Sequence, residues 1–267
     1  MKTCDRTYNL NDNFLDEEKP EKYWLLGILA SDGCIKNNQI QIEQSGDFGL
    51  KTIQYIKSLL SAESPIYHYE TGFQISYMIQ MSSKKMVNDL SKYNIVPNKT
   101  KTYRYPEIPD KYASSFLAGY VEGDGCVTIS KGNHCDYLNA SFVGTKEFIE
   151  KCFDIIPIKG HVRKHSSSNV YEIRWYGEKA IQFCDWLYEN QSLYHGYKYD
   201  NYIAGKETFK NKNKYRYRII KEKVLKDLQA GVPNIEKYSK EINIPFQTIY
   251  KWRKVWIEQK ILSTSPS

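Results

Sequence analysis

The chain has 267 residues, with 38 Lys and Arg against 31 Asp and Glu, and a formal net charge of +7. That length is too great for most single small domains and suits two compact ones, and a 41% hydrophobic share with 26% charged residues excludes compositional disorder. No stretch approaches the ~20 apolar residues of a membrane helix, and the polar first twenty residues lack the apolar core of a secretory signal.

In chain order, the first clear element is an apolar run, Trp24 to Ala30, that closes on Ser31-Asp32-Gly33. Alternation then predicts strands at Cys34–Lys36 and Gln39–Gln44, a helix at Leu50–Leu60, and strands at Ser64–Tyr69 and Phe73–Met81. A helix at Ser83–Tyr93 closes the segment. The apolar run recurs as Phe116-Leu117-Ala118-Gly119-Tyr120-Val121-Glu122-Gly123-Asp124-Gly125, 92 residues further on. The same order follows it: strands at Cys126–Lys131 and Leu138–Val143, a helix at Thr145–Cys152, strands at Gly160–Lys164 and Tyr171–Tyr176, and a helix at Gly177–Tyr188. Each half therefore reads α-β-β-α-β-β-α, an α+β unit. The boundaries fall at 1–105 and 106–205.

After residue 205 the texture changes. Residues 206–260 hold 15 Lys and Arg against six Asp and Glu, a local net of +9, which leaves the remainder near −2. Lys206–Arg218 reads as a basic linker. Helices are expected at Ile219–Ala230, Ile235–Ile242 and Phe246–Gln259, with Asn234 as an N-cap. The last two are spaced as a helix-turn-helix, forming an all-α module over 206–267. Its second helix would offer Gln247, Thr248, Tyr250, Lys251 and Arg253 to DNA, while Ile249 and Trp252 face a core.

The repeated run has a physical problem that suggests its use. Gly27 and Ser31, like Gly119 and Gly123, are four apart, so each helix carries a side-chain-poor stripe along which two backbones can approach. Gly33 and Gly125 are expected as left-handed caps that turn helix into strand. Paired in parallel, the two helices bring Asp32 and Asp124 together where both helix dipoles are already negative. Such a pair is stable only with a cation, and hard oxygen donors suit Mg²⁺ bridged to phosphate.

These two segments resemble the paired motifs of the single-chain LAGLIDADG homing endonucleases, over about residues 15–205. The second copy is the closer; in the first, Leu26 and Ala30 depart from the family pattern, while both acidic eighth positions are intact. The resemblance implies a pseudo-symmetric saddle of two sheets on duplex DNA and a monomer cutting both strands of a long asymmetric site. It implies Asp32 and Asp124 as metal ligands for Mg²⁺, with Mn²⁺ a substitute. It implies Lys99 and Lys198, 67 and 74 residues beyond their aspartates, as basic partners that polarise water or steady phosphate. Gln44 and Gly144 would flank the metal site.

The strands supply polar residues for the groove: Lys36, Gln39, Gln41, Gln74 and Ser76 in the first half, and Thr128, Lys131, Arg163 and Arg174 in the second. His68, Tyr77, Asn133, His134 and Lys164 belong to the same pool, of which alternation admits about half. His161, His165 and Cys152 lack the arrangement of a zinc site and read as polar and core residues.

Two other classes share these features: a non-cleaving DNA-binding regulator, and a maturase that takes intron RNA as partner. Two intact carboxylates favour cleavage, since a pure binder gains nothing from anions facing phosphate. Six scattered Cys without a C-x-x-C pair suit a reducing interior, so an intracellular setting (cytoplasm, organelle matrix or nucleoid) is expected rather than secretion.

Overall fold

The structure, a computed structural model, describes residues 7–262 apart from 73, 132–135, 166–168, 191, 232–233, 243 and 260; side chains at 71 and 210–219 are also outside the description. The Asn133 and His134 expectations fall on undescribed residues. The chain divides into two compact units, Met1–Glu207 and Thr208–Ser267.

The first unit contains both repeats. α1 (Pro20–Ser31) starts on Pro20, whose missing N–H is no loss in the first turn. It is buried from Lys22 through Ala30, including both faces, because it lies at the centre of the unit. β1 (Gly33–Lys36) and β2 (Gln39–Ser45) follow, then α2 (Gly46–Leu59), β3 (Ile66–Thr71), β4 (Gln74–Ser82) and α3 (Lys84–Ser91). Ser83 caps α3, its hydroxyl accepting from Met86 N at 3.0 Å. The second repeat runs α4 (Ala113–Asp124), β5 (Gly125–Ser130), β6 (Tyr137–Gly144), α5 (Lys146–Ile155), β7 (His161–Lys164), β8 (Tyr171–Tyr176) and α6 (Glu178–Leu187). Each repeat forms an antiparallel sheet, in the orders β1-β2-β4-β3 and β5-β6-β8-β7.

Alternation sorts the two faces of each sheet. Ile35, Ile40, Ile42, Ile79 and Met81 are buried on one face of the first; Val127, Leu138, Ala140, Phe142, Ile173 and Trp175 are buried on the corresponding face of the second. The opposite faces are polar.

The two repeats meet through α1 and α4. A methyl group on Gly27 would lie 2.0 Å from the Phe116 carbonyl oxygen, and one on Gly119 would lie 2.0 Å from that of Trp24. These are the same positions in the two repeats, so the contact is pseudo-symmetric. A methyl on Gly123 would meet Ser31 Oγ at 2.1 Å. The side-chain-poor stripes thus serve the backbone approach expected of them, with the helices running in the same direction.

Two local expectations are corrected. Gly33 and Gly125 are not left-handed caps: Gly125 has φ −101°, and Gly33 is not among the positive-φ residues. Each helix passes directly into its strand, and glycine is required because a methyl would strike a carbonyl of the preceding turn, Leu29 at 2.5 Å or Val121 at 2.4 Å. Nor is Lys206–Arg218 a linker with a separate helix beyond it. α7 runs unbroken from Tyr197 to Gln229, across the boundary between the units. No proline interrupts it, and its Lys, Arg, Glu and Tyr residues are compatible with helix despite the charge.

The second unit places α8 (Ile235–Glu241) and α9 (Phe246–Glu258) around a core of Val224, Tyr238, Ile249, Trp252 and Trp256. Asn234 caps α8, accepting from Lys237 N at 2.9 Å. Ile249, Trp252 and Trp256 recur at helical spacing on one side of α9, which leaves Phe246, Gln247, Tyr250, Lys251, Lys254 and Val255 exposed on the other.

Candidate active site

The closeness of α1 and α4 fixes where their last residues stand. Asp32 is the C-cap of α1 and Asp124 the last residue of α4. A methyl on Gly123, next to Asp124, would lie 2.5 Å from Asp32 Oδ2. Burial, and next the Asp124 charge, push the Asp32 carboxyl up to about 6. Burial also raises Asp124, although solvent reaches it, while Lys99 and Lys198 pull it back. Two carboxylates whose ionised forms oppose each other, with the helix ends adding negative potential, make a site with unmet demand for positive charge.

The fold supplies part of that charge. Lys99 lies in a short 3-10 helix (Lys99–Lys101) entered through Asn98 in the left-handed region. Lys198 lies in the first turn of α7. Both are almost fully buried, and burial lowers both ammonium groups from their ordinary range. Lys198 Nζ donates to the carbonyls of Val121 (2.8 Å), Glu122 (2.5 Å) and Gly123 (3.2 Å). It closes the C-terminus of α4, with all three of its donors used. Lys99 Nζ donates to the Gly33 carbonyl.

The lysines therefore differ in reach. Lys198 has no donor left for a ligand, whereas Lys99 keeps donors to spare. Lys198→Met should destabilise the fold by about 3 kcal/mol, because the Glu122 and Gly123 carbonyls lose the donor that Lys198 gives them and the buried Glu122 carboxyl loses its facing cation, while the Val121 carbonyl keeps the Gly125 N–H. Lys99→Met should retain more stability. Chemical denaturation of both variants checks the order, and equal losses would contradict it.

The carboxylates are also held by different groups. Asp32 Oδ2 accepts from Gln44 Nε2. At the matching position stands Gly144, and the Tyr120 hydroxyl fills the room: a methyl on Gly144 would lie 3.3 Å from it. That hydroxyl donates to the Val143 carbonyl at 3.0 Å, and it lies beside Asp124, whose carboxyl it helps to hold down. Its counterpart in the first repeat is Ile28. Comparing the two copies position by position exposes this exchange, but alternation alone gives Tyr120 as a core residue. Glu122 was also missed. It is buried against Gly196 and faces Lys198, and these two offset part of the rise that burial imposes on its carboxyl.

A cleft of about 730 Å³ beside Asp32 is lined by Gln44, Glu122 and Lys198, among others. A second, of about 520 Å³, lies beside Asp124 with Ser31, Thr100, Lys101, Tyr120 and Gly144. No group of three or more His, Cys, Asp or Glu placed to hold a metal occurs among the described residues. The helix ends themselves offer the carboxylates of Asp32 and Asp124, with Glu122 turned to Lys198 and the carbonyls of Gly33, Val121, Glu122 and Gly123 accepting from lysines. This all-oxygen, anion-rich pair fits a divalent cation that draws its remaining ligands from water and phosphate. His161 and His165 lie at the surface of the second sheet and Cys152 is sealed in the core, so they form no zinc site.

Cross-strand register shows which of the polar strand residues share a face. Lys36, Gln39, Gln41 and Gln74 share the open face of the first sheet, with Cys34, Glu43 and Gln80. Thr128, Arg163 and Arg174 share that of the second, and Lys131 is exposed just beyond β5. Ser76 is on the same face but only 2% exposed, its hydroxyl 2.9 Å from Ser45 Oγ, so it is not available to a ligand in this state. His68, Tyr77 and Lys164 lie on the opposite face, one residue out of phase. In the second unit Gln247 and Lys251 are exposed on α9, and Thr248 and Arg253 are half-buried.

Two linked repeats joined by glycine-stripe helices, each carrying a four-stranded sheet and ending in an aspartate, define the LAGLIDADG homing endonuclease fold. Solved structures share it. I-LtrWI bound to target DNA superposes with TM-score 0.52 at 15% identity, covering 75% of this chain and 91% of that one. I-GzeII in complex with its DNA target gives 0.51 at 12% identity, covering 75% and 93%. The meganuclease I-SmaMI bound to uncleaveable DNA gives 0.52 at 13% identity, covering 74% and 91%. No family model matches the chain. A curated relative, the reverse gyrase of Methanocaldococcus jannaschii, is 23% identical over 247 residues. The alignment takes in 84% of this chain, which spans only 14% of that protein's length. No helix among the described residues is long and apolar enough to cross a membrane.

Proposed function

We propose that the chain is a sequence-specific homing-type endonuclease that makes metal-dependent double-strand breaks by phosphodiester hydrolysis. The observation that carries this reading is the placement of Asp32 and Asp124 at adjoining helix ends, between two sheets with polar open faces. Carboxylates so placed repel each other and the DNA backbone, an arrangement with a use in cleavage and none in simple binding.

Asp32 and Asp124 would hold Mg²⁺, or Mn²⁺ in its place, which when bound supplies Lewis acidity and lowers the pKa of water. The chain's own residues do the rest. Gln44 and Tyr120 aim the two carboxylates. Lys99 and Lys198 hold positive charge beside the scissile phosphates, where charge builds as the bond breaks. The open sheet faces would read a long asymmetric duplex site, one repeat to each half, so a monomer suffices.

The second unit supports a further grip on DNA. Its +9 segment and the exposed α9 face fit helix-turn-helix docking, with Gln247 and Lys251 in the major groove and neighbouring bases on the phosphates. In the full-length protein, Lys251→Ala with Lys254→Ala should weaken binding, and loss of the Lys254 phosphate contact should reduce the salt slope by about 1. The cut position should stay unchanged; a moved cut would place α9 at the reaction centre.

The test is selection of cleaved duplexes from a large library, with Mg²⁺ or with EDTA. Wild type should cut a defined site only with Mg²⁺, and Asp124→Asn should bind that site without cutting. Binding without cutting by wild type would overturn the nuclease reading and leave a regulator. Preferential binding of intron RNA, with faster splicing, would leave a maturase.

A further inference from the structure

The open face of the second sheet holds a buried carboxylate that the cleavage reaction does not use. Glu172, on β8, is 2% exposed yet points with Arg174 and Tyr176 toward the face where DNA would lie. It is covered by two arginines. Arg163, directly opposite on β7, donates from Nε to Oε2. Arg174 donates from Nε (2.9 Å) and Nη2 to Oε1. Ser141, in the next strand, also helps to hold the carboxyl down, and His165 Nε2 stands 3.7 Å away. A buried carboxylate on a DNA face is costly unless it is paired and hydrogen-bonded, and this one is paired twice.

The geometry points to Arg163 as a guanine reader in the half of the target bound by the second repeat, with Glu172 as its positioning residue. This rests on the reading of the sheets as a DNA-binding surface. Three features argue for it. The Arg163 side chain is 55% exposed, and it spends only Nε on Glu172. Among the described residues its terminal amino groups have no partner, so the planar edge that matches guanine O6 and N7 is free. With Nε tethered, less rotamer freedom is lost on binding than for an untethered arginine.

Position in the fold narrows where the guanine lies. Val143, paired with Glu172 across β6, lines the cleft beside Asp124, as does Val170 two residues before Glu172. The base pair read by Arg163 therefore belongs to the cut-proximal part of its half-site. The matching row of the first sheet is Glu43, Met78 and Tyr67, with no arginine. The guanine requirement should appear in one half-site only.

The experiment is binding of full-length protein to randomised duplexes under non-cleaving conditions, for wild type, Arg163→Ala, Arg163→Lys and Glu172→Gln. Wild type should prefer guanine at one cut-proximal position by roughly 5- to 150-fold. Arg163→Ala and Glu172→Gln should both flatten that position and leave the others, and Arg163→Lys should not restore it. Thermal midpoints identify a variant that has lost its fold, and the near-isosteric Gln keeps the test valid if Ala does not fold. A uniform loss of affinity in Glu172→Gln, or a wild-type profile without such a guanine, overturns the assignment. Failure of wild type to bind any duplex overturns the nuclease reading beneath it.

Discussion

Asp32→Asn should abolish cleavage while making the protein more stable. The same exchange removes one ligand of the proposed metal and one of two opposed charges. The loss in cleavage should be on the order of 10³-fold or more, with target binding retained. The gain in stability follows from the carboxyl being raised to about 6 in the folded state, against 3.8 ordinarily. A raised carboxyl favours the unfolded state as soon as the unfolded form ionises, and fully once both forms have ionised. The penalty is absent below about pH 4, develops as pH rises through 6, and reaches about 2–3 kcal/mol at pH 7. In EDTA, then, Asp32→Asn should raise the unfolding free energy by about that amount at pH 7 and by little at pH 4. Denaturation at the two pH values checks this. Added Mg²⁺ should stabilise wild type more than the variant, by mass action on the folded state. A variant that is less stable than wild type at pH 7 in EDTA would mean that Asp32 makes net favourable contacts. The opposition of charges would then not describe the site.

Gly119→Ala should collapse the association of the two repeats. The added methyl would lie 2.0 Å from the Trp24 carbonyl oxygen and 2.9 Å from its carbon, and both atoms are backbone. No side-chain rotation can relieve that overlap; α1 and α4 must separate, carrying Asp32 from Asp124 and opening the central core. Overpacking commonly costs about 1–3 kcal/mol, and a backbone-on-backbone case should exceed it. Gly27→Ala should be as damaging, because the Phe116 carbonyl stands 2.0 Å away in the mirrored position. Gly72→Ala gives the control: its methyl meets nothing within 4 Å, so only its positive φ of 61° is charged against it. Calorimetry should rank Gly119→Ala and Gly27→Ala together and well below Gly72→Ala.

Repetition made the core of this protein legible. A single Asp-Gly at the end of an apolar run means only a turn, but two with matched flanks 92 residues apart imply two units and a shared axis. The α-β-β-α-β-β-α order followed from alternation and helical spacing, and the small-residue stripes indicated which helices meet. The placements that could be read were those fixed by position along an element: Asp32 and Asp124 at helix ends, and Lys36, Gln39, Gln41, Thr128, Arg163 and Arg174 each on one strand phase.

Errors arose where the answer depended on neighbours distant in sequence. Gly33 and Gly125 look like left-handed caps because glycine usually ends helices that way; only the Leu29 and Val121 carbonyls show that lack of space is the reason. The segment after residue 205 looks like a linker because charge runs usually do, yet nothing in it breaks a helix.

What the sequence by itself determined is the pair of repeats, their paired acidic ends and the uneven charge, in which a nearly balanced core carries a +9 tail. Periodicity and composition are local properties, and the chain writes them directly. Only the tertiary structure decided what stands beside each aspartate, Gln44 bonded to Asp32 in one repeat and Tyr120 over Gly144 next to Asp124 in the other. It alone showed that Lys198 spends its donors on a helix end and that Glu172 lies under two arginines. Those facts depend on side chains that meet across strands and helices, and packing sets such meetings rather than spacing.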